Sequence, residues 1–291
     1  MPPGRIESVH AAAINIRFGS LLATIARESV GGLPMGILVS GEQRLDHLGA
    51  VRGMAARVHG SDLVVPDAGL LITLYGAATW SPVMPILPIE PIARRTRRTA
   101  AVLRLAVAIA PRAGLAPLLA VMAGDTGAAR GTLAEQAGPV LAGVLGLLQR
   151  EETALAAHRA QSLIGLGPGA TPSGDDLLVG LLAGMAATRH PQASSLAWRV
   201  AIRAPGRTTA LSEQFLADAG RLRFSERVHN IATAVLAGRP AELGAAIDAT
   251  LAWGASSGAD LLVGLLIGID ADRAALGRSL RDLAGDVAEA A

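Results

Sequence analysis

The sequence predicts an α+β protein, with a β-rich N-terminal domain followed by a larger all-helical domain that has two equivalent buried central helices. Three observations carry that expectation. Short apolar runs punctuated by Gly, Pro and Asp fill the first part of the chain. From Ile92 onward the apolar residues recur with helical spacing. Within that second part, one segment of twelve residues occurs twice. The chain has 291 residues and is 51% apolar but only 2% aromatic, so its cores must be built from Leu, Val, Ile and Ala. With 34 glycines, such a composition favours closely packed helices over a β-sandwich.

In the N-terminal half, Ala12 to Phe18, Met35 to Val39, Leu63 to Val65 and Leu70 to Tyr75 read as strands. Residues 82–91 then carry proline at every third position (Pro82, Pro85, Pro88, Pro91), the period of polyproline II. This segment reads as an extended, stiff connector closing a domain of residues 1–91. In the helical domain, residues 92–291, helices are expected at Arg94–Ala110, Gly114–Ala123, Thr132–Gln149, Glu151–Leu163 and Asp175–Thr188. Further helices follow at Ser194–Arg203, Thr209–Asp218, Glu226–Ala237, Ala241–Trp253 and Gly258–Ile269, with a last one at the C-terminus. The first of these opens with Arg94, Arg95, Arg97 and Arg98, a solvated first turn or a partner-facing surface.

Composition excludes several chemistries. There is no cysteine, and all 26 basic residues are arginine. The chain therefore has no thiol nucleophile, no cysteine-ligated zinc, no Schiff-base lysine and no P-loop lysine. The net charge is only +2, and the high isoelectric point follows from arginines that never titrate, so no nucleic-acid partner is expected. The uncharged run from Ala68 to Ile89 is long enough to span a bilayer, but Gly76, Pro82, Pro85 and Pro88 interrupt it. The opening MPPGRIESVH has no apolar core of a signal peptide. No membrane association is expected, and the chain reads as cytoplasmic. The six histidines show no H-x-x-x-H or H-E-x-x-H spacing, so no zinc site is expected.

The repeated segment runs from Ser173 to Gly184 and again from Ser257 to Gly268, with ten of twelve positions identical. Each copy is a polar start followed by residues apolar all round, the pattern of a buried helix. Gly180 with Gly184, and Gly264 with Gly268, stand on one face and admit another backbone. Two central helices packed on each other, related by a pseudo-twofold axis, follow from this. Locally, Ser173 with Asp176 and Ser257 with Asp260 each fit the S-x-x-D capping box, worth about 1 kcal/mol per helix.

The first copy is preceded by a glycine-rich stretch. Residues 165–174 hold four glycines and two prolines, which specify a tight loop rather than a linker. The loop supplies backbone N–H groups at Gly167, Gly169 and Gly174, hydroxyls at Thr171 and Ser173, and a helix N-terminus, together an anion-binding arrangement. The adjacent Asp175 and Asp176 would repel a bare anion. Either Mg²⁺ or a guanidinium lies between them and the ligand, or one Asp acts as a base while the helix N-terminus holds its pKa low. Arg207, Thr208 and Thr209 open a later helix, either as its N-cap or as anion ligands. Ser256, Ser257, Gly258 and Asp260 are the matching residues of the second copy.

At these residues the chain resembles a known bacterial family. GLGPGATPSGDDLLVG (165–180), TTALSEQFLADAG (208–220), RFSE (223–226) and SSGADLLVG (256–264) are similar to the family that includes the AllH subunit of oxamate carbamoyltransferase, from allantoin degradation. The resemblance implies a subunit of a hetero-oligomeric complex, one partner resembling an acyl-CoA synthetase, that moves a carbamoyl group between oxalurate and phosphate. It is also compatible with a homodimer. On this reading Asp175, Asp176 and Asp260 are the catalytic candidates, and the loop, Arg207–Thr209 and Ser256–Gly258 bind a small anionic substrate. The resemblance also implies that His often precedes the paired serines, where this chain has Ala255. Two other readings stand beside it: a non-catalytic scaffold or regulatory subunit, and a stand-alone metal-assisted hydrolase or lyase.

Overall fold

The computed structural model describes residues 2–88, 90–271 and 279–280. The helix expected at the C-terminus lies outside the described residues. Two compact units emerge, one of residues 1–82 with 225–227, the other of residues 83–224 and 228–291.

The first unit holds β1 (Gly4–Val9), β2 (Ala13–Phe18), β3 (Leu21–Arg27), β4 (Gly36–Val39), β5 (Ala55–His59), β6 (Asp62–Val65) and β7 (Leu70–Thr73). They form one sheet in the order β4-β3-β2-β1-β5-β6-β7, antiparallel throughout except for the parallel pair β3/β4. Its core is aliphatic, with Ile6, Ile14, Ile16, Ile25, Leu63 and Val65 buried around Phe18. Buried Asn15 is satisfied on both sides, donating to Ser8 Oγ at 2.9 Å and accepting from Thr24 Oγ1 at 2.7 Å. Four strands were expected, and three more are present. β1 (GRIESV) and β5 (AARVH) carry few apolar residues and so lack the short apolar run that marks a strand in sequence, whereas β3 (LLATIAR) does carry one, directly after β2 across the Gly19-Ser20 turn.

The second unit begins with the proline-rich segment, which is extended and free of helix. Met84 and Leu87, three residues apart, are buried, and Val83 bridges to Arg223, so the segment packs onto the helical unit rather than running free. The helices are α1 (Ile92–Ile109), α2 (Pro117–Met122), α3 (Leu133–Gln149), α4 (Thr153–Ala160), α5 (Ser173–Ala187), α6 (Ala193–Ala201), α7 (Ala210–Ala219), α8 (Glu226–Leu236), α9 (Pro240–Leu251) and α10 (Ser257–Ile269). All ten expected positions are helical, with two late starts. Glu151 sits at φ 60 after the end of α3, so α4 begins only at Thr153. Gly114 at φ 58 delays α2 to Pro117, a residue suited to a first turn.

α5 and α10 are the buried centre of this unit, and glycine lets them touch. A Cβ on Gly180 would overlap the Leu261 carbonyl oxygen, and one on Gly264 would overlap the Leu177 carbonyl oxygen. One turn further on, Gly184 meets the Leu265 carbonyl and Gly268 the Leu181 carbonyl. Each helix thus presents the same residues to the other, and the two N-termini come together at one end. Among the described residues no helix is long and apolar enough to cross a membrane.

Candidate functional site

The paired N-termini of α5 and α10 define the candidate site. The capping boxes expected within each helix do not form. α5 starts one residue early, with Pro172 as N-cap and Ser173 already in the first turn, and neither Pro172 nor Ser256, the N-cap of α10, caps with its side chain. The close glycine packing instead makes the polar residues pair across the two helices. The Ser173 hydroxyl faces Asp260 of the other helix, and the Ser257 hydroxyl faces Asp176. Thr171 Oγ1 and Ser257 Oγ lie 2.9 Å apart beside Asp176.

A third segment closes this end. Leu115 N–H donates to Asp260 Oδ1 at 2.6 Å, and a Cβ on Gly114 would stand 2.6 Å from that oxygen and 2.8 Å from Ser173 Oγ. Gly114 is therefore required twice, for its left-handed φ and for its lack of a side chain. Sequence reasoning missed both residues. The only local signal was a glycine after Pro111-Arg112-Ala113 between two helical patterns, and nothing local ties it to Asp260, 145 positions away.

The three aspartates divide into one tie and one pair. Asp175 Oδ1 accepts from Gly165 N–H at 2.9 Å and Oδ2 from the Thr208 hydroxyl, so Asp175 anchors the start of the loop to the segment before α7. Burial raises its pKa, and the Thr208, Gly165 and Ser212 donors oppose the rise. Asp176 and Asp260 are 4% and 0% exposed, and among the described residues the Oδ2 atom of each has no hydrogen-bond partner. Burial pushes Asp176 up to about 8, against the Ser257 and Thr171 hydroxyls, and the charges of Asp260 and Asp175 add to the rise. Burial pushes Asp260 to about 6, opposed by Leu115 N–H and the hydroxyls of Ser173 and Ser256. Burial thus outweighs the helix N-terminus, which was expected to hold an Asp pKa low, and of the two carboxyls Asp176 is the more strongly raised.

The glycine-rich loop lies over this pair. Gly165, Gly167 and Gly169 all have positive φ, and Pro168, Gly169 and Ala170 are exposed. Gly174 N–H bonds back to the Leu166 carbonyl, and its missing Cβ leaves room for the Leu163 carbonyl. Among the described residues the N–H groups of Gly167, Gly169, Ala170, Thr171 and Ser173 make no hydrogen bond. Thr209 holds the loop tip by donating to the Ala170 carbonyl at 2.6 Å, while its oxygen accepts from Ser212 N–H as the N-cap of α7. The exposed Arg207 guanidinium donates to the Gln161 side-chain oxygen at 3.0 and 3.1 Å, with the amide oriented by that network. On the α10 side, Gly258 lacks the Cβ that would strike the Thr250 carbonyl, and Ala255 is exposed. Among the described residues no group of three or more His, Cys, Asp or Glu is placed to hold a metal ion.

An α+β chain whose helical unit joins two like helix N-termini, each with its Asp, under one glycine-rich loop defines the class of protein. Residues 163–269, which contain the loop and both helices, match the family model described as oxamate carbamoyltransferase subunit AllH. Residues 1–79 match the AllH family N-terminal domain. The chain belongs to the AllH family. Comparison with curated proteins and with solved structures gave no match.

Proposed function

We propose that this chain is a subunit of a carbamoyltransferase complex of the oxamate type, and that its glycine-rich loop holds the small anionic substrate. One observation carries the reading: five unbonded N–H groups between Gly167 and Ser173 stand beside a buried carboxyl pair of unequal acidity. Backbone donors of this kind suit a carboxylate or phosphate. The family description names an oxamate carbamoyltransferase, and the reaction proposed on that basis is transfer of a carbamoyl group between oxalurate and phosphate.

In the direction of carbamoyl phosphate, a phosphate oxygen attacks the ureido carbonyl carbon, and the bond from that carbon to the oxamate nitrogen breaks. The nitrogen needs a proton as it leaves, and the phosphate loses one. Asp176 as a neutral acid gives the first, and Asp260 as a carboxylate takes the second, so proton count and charge balance within the pair. Thr171 and Ser257, half-buried and hydrogen-bonded to each other, relay protons between the pair and the substrate side. Asp175, Thr208 and Thr209 hold the loop in place, which makes them positioning residues on this reading. Arg207, at the exposed edge, adds a cation for the substrate or a partner chain.

The competing reading places Mg²⁺ at the aspartates. Asp175 has both oxygens engaged, so such an ion would draw on the unpartnered Oδ2 atoms of Asp176 and Asp260. The deciding experiment is turnover of oxalurate and phosphate by the complex assembled with its partner subunits. Asp176→Asn lowers kcat by about 10²-fold or more, the usual contribution of a general acid. In the wild type, kcat falls as the pH rises past about 8. Unchanged turnover in Asp176→Asn, in a complex that assembles normally, overturns the reading and favours a scaffold role.

A further inference from the structure

The segment that closes over Asp260 has a second face. Its inner side carries Leu115 N–H and Gly114, and its outer side, through Pro111, Arg112 and Ala116, forms one wall of a cleft of about 520 Å³. The remaining walls are the C-terminal turns of α1, the start of α2 and residues 125–132. Six of the thirteen lining residues are Ala or Gly, and the small side chains leave the space open. The volume lies in the ordinary range for small-molecule sites.

Its chemistry is specific. Val107, Leu119 and Ala120 give it an apolar wall. Arg112 and Asp125 line it with opposite charges, both exposed, and among the described residues neither side chain has a hydrogen-bond or ion-pair partner. Thr132 also lines the cleft, but its hydroxyl is occupied by the Ala129 carbonyl and Ala134 N–H. An unpaired guanidinium and an unpaired carboxylate around an apolar wall match a molecule that carries a carboxylate, an ammonium group and a small apolar body.

We propose that this cleft binds an apolar α-amino acid, with its carboxylate on Arg112, its ammonium on Asp125 and its side chain against Val107, Leu119 and Ala120. The bound molecule bears on the segment 111–116 and is sensed at Asp260 through Leu115. This site is separate from the glycine-rich loop, and its binding is measured without turnover, so its failure leaves the proposed function standing.

The test is amide NMR of the full chain titrated with leucine, 4-methylpentanoate and isoamylamine. Leucine produces saturable shifts at Ala120, Thr132 and Leu115. 4-Methylpentanoate, which lacks the ammonium, and isoamylamine, which lacks the carboxylate, bind at least tenfold more weakly. Arg112→Gln, on an exposed side chain, weakens leucine at least tenfold, and Ala120→Leu fills the cleft and abolishes the shifts. Absence of saturable shifts, leucine binding unchanged in Arg112→Gln, or 4-methylpentanoate as tight as leucine overturns the proposal. Shifts at Ala120 and Thr132 that never reach Leu115 overturn the link to Asp260.

Discussion

Replacing Asp176 by Asn keeps the shape of the side chain and removes its ionisation. In the fold this carboxyl titrates at about 8, against an ordinary value of 3.8. The folded state therefore keeps a proton that the unfolded chain gives up. The associated stability is fully present below about pH 4 and is lost as the pH rises through about 8. At roughly 1.4 kcal/mol per unit, the loss over that window is on the order of 6 kcal/mol, comparable with the whole stability of many domains. Asp260, at about 6, adds a smaller loss of the same sign between about pH 4 and 6. Urea unfolding followed by circular dichroism at pH 4, 6 and 8 measures the difference. Wild type and Asp176→Asn should lie close together near pH 4 and diverge above it, with the variant several kcal/mol more stable at pH 8. Parallel profiles, or a variant that is the less stable of the two at pH 8, would refute the neutral, buried acid.

The other predictions test the supports of the site. Gly264→Ala drives a Cβ into the Leu177 carbonyl, which cannot retreat without moving α5, and should cost about 1–3 kcal/mol in denaturant unfolding. Gly244→Ala, inside α9 with open space around it, should instead stabilise by about 0.5–1 kcal/mol, so equal effects of the two would discount the close helix contact. Thr208→Val deletes a donor to the ionised form of Asp175, so its Tm deficit should be larger at pH 8 than at pH 5. Dialysis of the assembled complex against a chelator should leave turnover intact. A loss that Mg²⁺ alone restores would transfer the chemistry to a metal on Asp176 and Asp260.

The helical unit was readable in sequence because its signals are local. Apolar residues at helical spacing mark all ten helices, and the repeated glycines on one face announce that α5 and α10 touch. The sheet was half legible, since a strand such as β1 takes its burial from partners far along the chain rather than from its own apolar content. The site divides in the same way. Ser173, Asp176, Ser257 and Asp260 were visible as a group, but they read as two self-contained caps. A one-residue shift in the start of α5 and the approach of α10 turned the pairing crosswise. Asp175 and Asp176 look equivalent as neighbours in sequence. On a helix they point about 100° apart, which sends one to Gly165 and Thr208 and the other to the buried pair.

The most direct measurement is a titration of the full-length, isotopically labelled chain with oxamate and with inorganic phosphate, followed at the backbone amides of Gly167, Gly169, Ala170, Thr171 and Ser173. Saturable shifts at these five positions, weakened by the loop-loosening Thr209→Val, are the predicted result. Amides that stay unmoved at saturating concentration, in the isolated chain and in the assembled complex alike, would contradict an anion site at the joined ends of α5 and α10.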